Sequence, residues 1–180
     1  MKRNFKPYMN NIFIETGSAG GEGIHAALQA KFPKIHSIEV FEPCYLICKN
    51  RYGNRKRRVK LYHGDSLVIL PQILSGIDEP CTFWLDAHYC GGGSGGEQNT
   101  SPLMDELKII GNHHIKTHTI LIDDIRLIKE REKEWFKFPY CICDIEEYIH
   151  SINPKYKITY DFGEVPNDIL IAQVINEGDI

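Results

Sequence analysis

Residues 11–23 read Asn-Ile-Phe-Ile-Glu-Thr-Gly-Ser-Ala-Gly-Gly-Glu-Gly, and they restrict the fold more than any other stretch. Ile12, Phe13 and Ile14 make an apolar run of strand type, closed by Glu15. Gly17, Gly20, Gly21 and Gly23 follow within seven positions, and the residues from about Gly23 to Lys31 read as a helix. Strand, glycine turn and helix in that order form a nucleotide-binding turn. Glycines allow positive φ and let a ligand approach the backbone, and the helix start offers free N–H groups. The spacing is not the Gly-x-Gly-x-x-Gly of dinucleotide enzymes. A pyrophosphate needs a positive helix start, whereas here Glu15 and Glu22 bracket the loop. That favours a cationic or zwitterionic ligand. A plain glycine-rich surface turn is the competing reading.

The rest of the chain supplies more strands of the same kind. Ile35–Val40 reads as a second strand, with Glu39 lying 22 positions after Gly17, a distance that suits an acceptor for ribose hydroxyls. A helix from Pro43 to Tyr52 leads to the basic run 51–60. That run reads as a solvated connection in preference to a nucleic-acid patch, since aromatics are not interleaved through it. Val59–His63 is the third strand, and Asp65 with Ser66 caps the helix after it. The fourth strand, from Cys81, is apolar until Asp86, as expected of a parallel strand covered on both faces. His88 and the glycine tract 91–96 follow, read as a substrate loop at the carboxyl end of a central strand. Ser101 caps a helix over 102–111. The fifth strand ends in Asp123 and Asp124. Residues 125–140 are charged, with Trp135, Phe136, Phe138 and Tyr140 interspersed. A helix over 144–151 and two strands, Tyr156–Asp161 and Ile169–Ile175, complete the chain as a hairpin.

At 180 residues, 42% hydrophobic and 25% charged, the chain suits one soluble domain spanning 1–180. No apolar run approaches a membrane span and no secretory signal is visible, so the expected location is cytoplasmic, without a membrane partner. A net charge of −3 makes nucleic acid an unexpected partner. The six cysteines follow no zinc-finger or disulfide framework and are expected to be reduced thiols. Convergence of Cys44, Cys48, Cys141 and Cys143 on a metal is the minor alternative.

The acidic-x-Gly-x-x-Gly-Gly-x-Gly turn, with acids ending successive strands, resembles class I, Rossmann-like S-adenosylmethionine-dependent methyltransferases over nearly the whole chain from Asn11. The resemblance implies a three-layer α/β sandwich whose seven-stranded, mostly parallel sheet has the order 3-2-1-4-5-7-6 with the last strand antiparallel. It implies S-adenosylmethionine as cofactor, held by Glu15, Gly17, Ser18, Gly21, Gly23, Glu39, Asp65, Ser66 and Asp86. Acids ending strands four and five further resemble the site of magnesium-dependent O-methyltransferases. That implies Mg2+ on Asp86, Asp123 and Asp124, with a hydroxyl of a small molecule or glycan as acceptor. The other reading of these acids is structural: Asp123-Asp124 caps the next segment and Asp86 orders the loop. Asp86 and His88 are the expected catalytic residues, His88 as general base or fourth ligand; packing beneath the loop is its alternative role. No Asn/Asp-Pro-Pro-Tyr/Phe follows strand four, and Cys90 lacks a preceding proline, which argues against amino-group and pyrimidine carbon-5 methylation. With little sequence before the first strand, the 89–100 loop or a partner subunit, as in a homodimer, is expected to close the site. A nucleotide-dependent Rossmann oxidoreductase and a non-catalytic binding module are the competing functions.

Overall fold

The computed structural model describes residues 3–88, 101–129 and 139–174. The 89–100 loop with Cys90 and the glycine tract, the aromatics Trp135, Phe136 and Phe138, and Ile175 lie outside the described residues. The elements are β1 (Ile12–Thr16), α1 (Glu22–Ala30), β2 (Lys34–Glu39), α2 (Glu42–Tyr52), β3 (Val59–His63), α3 (Ser66–Leu74), β4 (Cys81–Leu85), α4 (Leu103–Asn112), β5 (Thr119–Ile122), α5 (Ile125–Lys129), α6 (Ile142–Ile152), β6 (Tyr156–Asp161) and β7 (Ile169–Val174). All seven strands form one sheet in the order 3-2-1-4-5-7-6. β7 runs antiparallel to both β5 and β6, and the other pairings are parallel.

Strand alternation divides the core between the two faces. Ile12, Ile14, Phe83, Leu85, Ile120 and Ile122 belong to one buried cluster, which also takes Leu70, Leu107 and Ile149 from α3, α4 and α6. Phe13, Trp84 and Leu121 belong to the other, with Ile24 from α1 and Cys48 from α2. The lead-in segment also packs in this second cluster: Phe5 is 3% exposed and its ring lies 5.0 Å from Phe13 and 4.9 Å from Trp84. Among the described residues, no helix is long and apolar enough to cross a membrane.

Two local readings change. The cysteines are not all reduced: Cys141 and Cys143 are joined in a disulfide, their Cα atoms 5.3 Å apart at the start of α6, within the span of such a bond. Cys44, Cys48 and Cys81 are free thiols. α6 starts before residue 144 because Asp144 reaches back to accept the Cys141 N–H at 2.6 Å, a capping-box contact that extends the helix. The basic run behaves as a joint. Arg58 donates to the carbonyls of Phe32 at 2.6 Å and Leu28 at 3.4 Å, tying the end of α1 to the start of β3.

At the opposite end of the sheet from the acids, two buried histidines form a chain. The Cys81 N–H donates to His118 Nδ1 at 3.0 Å, which leaves the His118 proton on Nε2 to donate to His113 Nδ1 at 3.0 Å. His113 Nε2–H then donates to the Ile77 carbonyl at 3.1 Å. Both rings must be neutral for the chain to close. Burial, reinforced by the neighbouring His113, holds His118 down at about 4, and burial holds His36 at about 4 as well. A histidine lowered in the folded state contributes stability that is complete above its unfolded value of about 6.5 and is lost as pH falls toward 4. Between pH 7.5 and 4.5 these two rings together cost the folded state a few kcal/mol, set against the opposite effect of the raised carboxyls Glu15 and Glu106, so their share is read from chemical denaturation as the difference between the unaltered chain and a histidine variant. His118→Gln will be less stable at pH 7.5, and its deficit relative to the unaltered chain will shrink as pH falls to 4.5.

Candidate functional site

Parallel register brings the strand ends to one edge. Thr16 pairs with Ile38 on one side and Leu85 on the other, and Leu85 pairs with Ile122. Asp86 and Asp123 are each one residue past those pairs. The edge opens on a cavity of about 640 Å³, within the range of small-molecule sites. Its lining takes Glu15, Gly17, Ser18 and Gly23 from the end of β1 and the turn after it, Glu39, Asp65 and Ser66 from the β2 and β3 ends to one side, and Asp86, His88 and Asp124 from the β4 and β5 ends to the other. Two predicted residues are not among the lining: Gly21 and Asp123. Gly21 starts α1 in the left-handed region and faces Tyr52 and Cys48. Asp123 is 9% exposed, and its carboxylate takes a bond from Arg3 at 2.6 Å.

Gly17 has φ +81, and a Cβ there would stand 2.5 Å from the backbone oxygen of Asp86. Only glycine satisfies both conditions, so the loop after β1 can lie directly against the chain leaving β4. A Cβ at Gly23 would collide with Glu15 Oε1. Glu15 is thus packed beneath the first turn of α1, 1% exposed, accepting from Ser37 Oγ at 2.5 Å. Burial pushes its carboxyl up to about 8, against the opposing effect of the Ser37 bond. The acid expected to supply negative charge is therefore largely protonated at neutral pH until a cation approaches. Glu22, the second expected charge, is paired with Arg51 at 3.5 Å.

Glu39 is held by two backbone donors, Ala19 N–H to Oε2 and Phe41 N–H to Oε1, both at 2.8 Å. Its carboxylate is thereby fixed at the cavity wall with lone pairs to spare. Asp65 accepts from Leu67 N–H at 2.8 Å as the cap of α3. Ser18 is spent inward, bonded to Ser37 Oγ at 2.5 Å and to the Ile38 carbonyl at 3.3 Å. Behind Ser66, the wholly buried carboxyl of Glu106 on α4 accepts from Thr16 Oγ1 at 3.3 Å. Burial raises Glu106 to about 7.

On the far side, His88 bridges two acids: Nε2 lies 3.1 Å from Asp124 Oδ2, and Nδ1 lies 3.7 Å from Asp86 Oδ1. Burial and the neighbouring Asp123 raise Asp86 above the usual carboxylate range. Burial would raise Asp124 too, but the His88 bond and the charges of His88 and Arg126 bring it below its ordinary value. Arg126 pairs with Asp124 and with Asp168, which is fully buried in the turn before β7. Asp124 has φ +59, and the ties to Arg126 and His88 hold it there.

The three acids expected to share a metal do not converge as one set. One ligand atom each from Asp86, His88 and Asp124 falls within 4.8 Å of the others, and a separate group joins Asp123, Asp124 and Asp168. The first group faces the cavity. Two carboxylates and an imidazole make a donor set for a hard divalent ion with water in the remaining positions, so the residues present fit such an ion with His88 in the place expected of Asp123. Cys44 and Cys48 join no such group among the described residues.

Arg3, Ser37, Glu106, Arg126 and Asp168 were not expected at the site. Ser37, a small polar residue within the apolar second strand, is the one whose sequence context carried a signal.

No protein-family model and no curated protein matches this sequence. Solved structures do match. The O-methyltransferase from Bacillus cereus, in complex with S-adenosylhomocysteine, superposes with a TM-score of 0.66 at 16% identity, over 95% of this chain and 77% of that one. The O-methyltransferase TomG from Streptomyces achromogenes, involved in tomaymycin synthesis and solved with S-adenosylmethionine, gives 0.62 at 14% over 96% and 76%. The methyltransferase domain of a bacterial Hen1 gives 0.54 at 15% over 90% and 88%. The strand order, the glycine turn after β1 and these superpositions give the chain the class I, Rossmann-like fold of the S-adenosylmethionine-dependent methyltransferases.

Proposed function

We propose that the protein transfers the methyl group of S-adenosylmethionine to a hydroxyl oxygen of a small molecule or glycan. The observation that carries this reading is that one cavity has the glycine turn, Glu39 and Asp65 on one side and the Asp86–His88–Asp124 group on the other. The first set suits the cofactor: Gly17 and Gly23 open the space for its methionine end beside Glu15, Glu39 accepts from the ribose hydroxyls, and Asp65 and Ser66 face the adenine. The second set suits the acceptor. His88 takes the hydroxyl proton, and Asp124, kept ionised by Arg126, orients the imidazole and stabilises its charged form. The fold supplies alignment of the attacking oxygen with the sulfonium methyl, from which most of the rate derives. Asp86, Asp105 and Asp124 on the acceptor wall favour a neutral or cationic acceptor over nucleic acid. If Mg2+ is bound, Asp86, His88 and Asp124 would hold it, and His88 would then serve as a ligand in place of the base. Such an ion lowers the pKa of a hydroxyl that binds it.

Isothermal titration will detect S-adenosylhomocysteine binding, and Gly17→Ala will weaken it by tenfold or more, since the substituted loop cannot approach β4. No binding at high micromolar ligand contradicts the reading.

Glu15 gives the cofactor step a pH signature. An approaching sulfonium and ammonium lower a carboxyl that otherwise titrates at about 8, so binding releases a proton. Affinity for S-adenosylmethionine will rise from pH 6 to 8, by at most about tenfold per pH unit, and level off above 8. Calorimetry in buffers of different ionisation enthalpy will register the released proton, and Glu15→Gln will abolish both effects.

For the acceptor side, labelled methyl transfer onto a panel of hydroxylated aromatics and sugars is the assay. His88→Ala will lower turnover by about 10²–10⁴ with cofactor affinity retained, and Asp124→Asn will abolish any Mg2+-stimulated component. A product methylated on nitrogen or carbon overturns the O-methylation reading. Cofactor-independent reduction of NAD by the same panel would favour an oxidoreductase.

A further inference from the structure

Arg3 comes to the acidic edge from the segment that precedes the sheet. Its position is set from below. Phe5 is buried between Phe13 and Trp84, Thr82 Oγ1 donates to the Tyr8 carbonyl at 2.5 Å, and Asn10 N–H donates to Thr82 Oγ1 at 3.1 Å. From that anchor the guanidinium lies over the Trp84 ring, 4.9 Å from its centroid. Nη2 meets Asp123 Oδ2 at 2.6 Å and Asp86 Oδ2 at 3.5 Å. The Arg3 side chain is 34% exposed and lines the cavity.

The two oxygens of Asp86 are therefore divided, Oδ2 toward Arg3 and Oδ1 toward His88. A divalent ion on Asp86, His88 and Asp124 would share one of its carboxylates with a fixed guanidinium, and the two like charges would repel across it. Asp123, in contact with Arg3 and next in the chain to Asp124, couples the same guanidinium to the second ligand. Arg3 is open enough to solvent to withdraw while Phe5 stays buried.

We infer that Arg3 is the resident counter-cation of the strand-end carboxylates, and that a divalent ion binds Asp86, His88 and Asp124 in competition with it. This rests on the metal reading proposed above. Competition at shared ligands is reciprocal: what Arg3 costs the ion, the ion costs Arg3. Arg3 acts here as a positioning residue, offsetting the repulsion between Asp86 and Asp123 when no ion is bound.

The probe is Mn2+ alone, with free ion measured by electron paramagnetic resonance. Arg3→Ala will bind Mn2+ about tenfold more tightly than the unaltered chain, and Arg3→Lys, which keeps the charge, will stay close to it. Trp84 gives a second readout. In a Trp135→Phe background, which leaves Trp84 as the chain's one tryptophan, Mg2+ will change the fluorescence as the guanidinium leaves the ring, and adding Arg3→Ala will remove that response. Equal or weaker Mn2+ binding in Arg3→Ala, with measurable binding in the unaltered chain, overturns the inference. Absence of Mn2+ binding at millimolar concentration in every variant overturns the metal reading and the competition together, while cofactor binding stays as proposed.

Discussion

A parallel sheet brings its carboxyl ends to one edge, and here that edge holds more acids than it can leave bare. Glu15, Glu39, Asp65, Asp86, Asp123 and Asp124 all sit at or just past strand ends, several of them buried. Burying ionised carboxylates together is costly unless each is compensated, and each is compensated differently. Glu15 is pushed up to about 8 by its burial and accepts from Ser37. Glu39 and Asp65 take backbone N–H groups. Asp86 and Asp123 share Arg3, while Asp124 and Asp168 share Arg126.

These arrangements tie the two halves of the cavity together. Gly17 N–H donates to the Ile38 carbonyl at 3.0 Å, Asp86 N–H to Thr16 at 3.1 Å and Asp123 N–H to Leu85 at 3.1 Å, so each strand end is fastened to the end before it. The missing side chain at Gly17 lets the glycine turn after β1 touch the chain leaving β4 directly. A methyl donor on one side and an acceptor on the other would then be placed by the same few backbone contacts. That is what an in-line transfer requires of a rigid scaffold.

Much of this was legible in the sequence. Short apolar runs closed by acids mark parallel strands, and the positions of Glu39, Asp65 and Asp86 follow from where those runs stop. Charge states were less legible. Glu15 reads as an anion in sequence, but its depth beneath Gly23, which only the packed sheet creates, pushes its carboxyl up to about 8 against the bond from Ser37. Asp123 and Asp124 look equivalent as neighbours. The left-handed turn at Asp124 sends the two carboxylates to different partners, so Asp124 reaches His88 and Asp123 does not line the cavity. Arg3 and Asp168 carry no local motif. They reach the site through long-range packing, Arg3 by way of Phe5 and Asp168 through the β6–β7 turn. The Cys141–Cys143 pairing likewise depends on how the chain enters α6.

The central claim is that the glycine turn, Glu39 and Asp65 form a cofactor site facing His88 across one cavity. A crystal structure of the protein with S-adenosylhomocysteine tests it most directly. The account predicts the homocysteine end over Gly17 and Gly23, the ribose hydroxyls on Glu39, the adenine beside Asp65, and the sulfur turned toward His88 and Asp86. A ligand bound elsewhere, or with its sulfur directed away from that group, would contradict it.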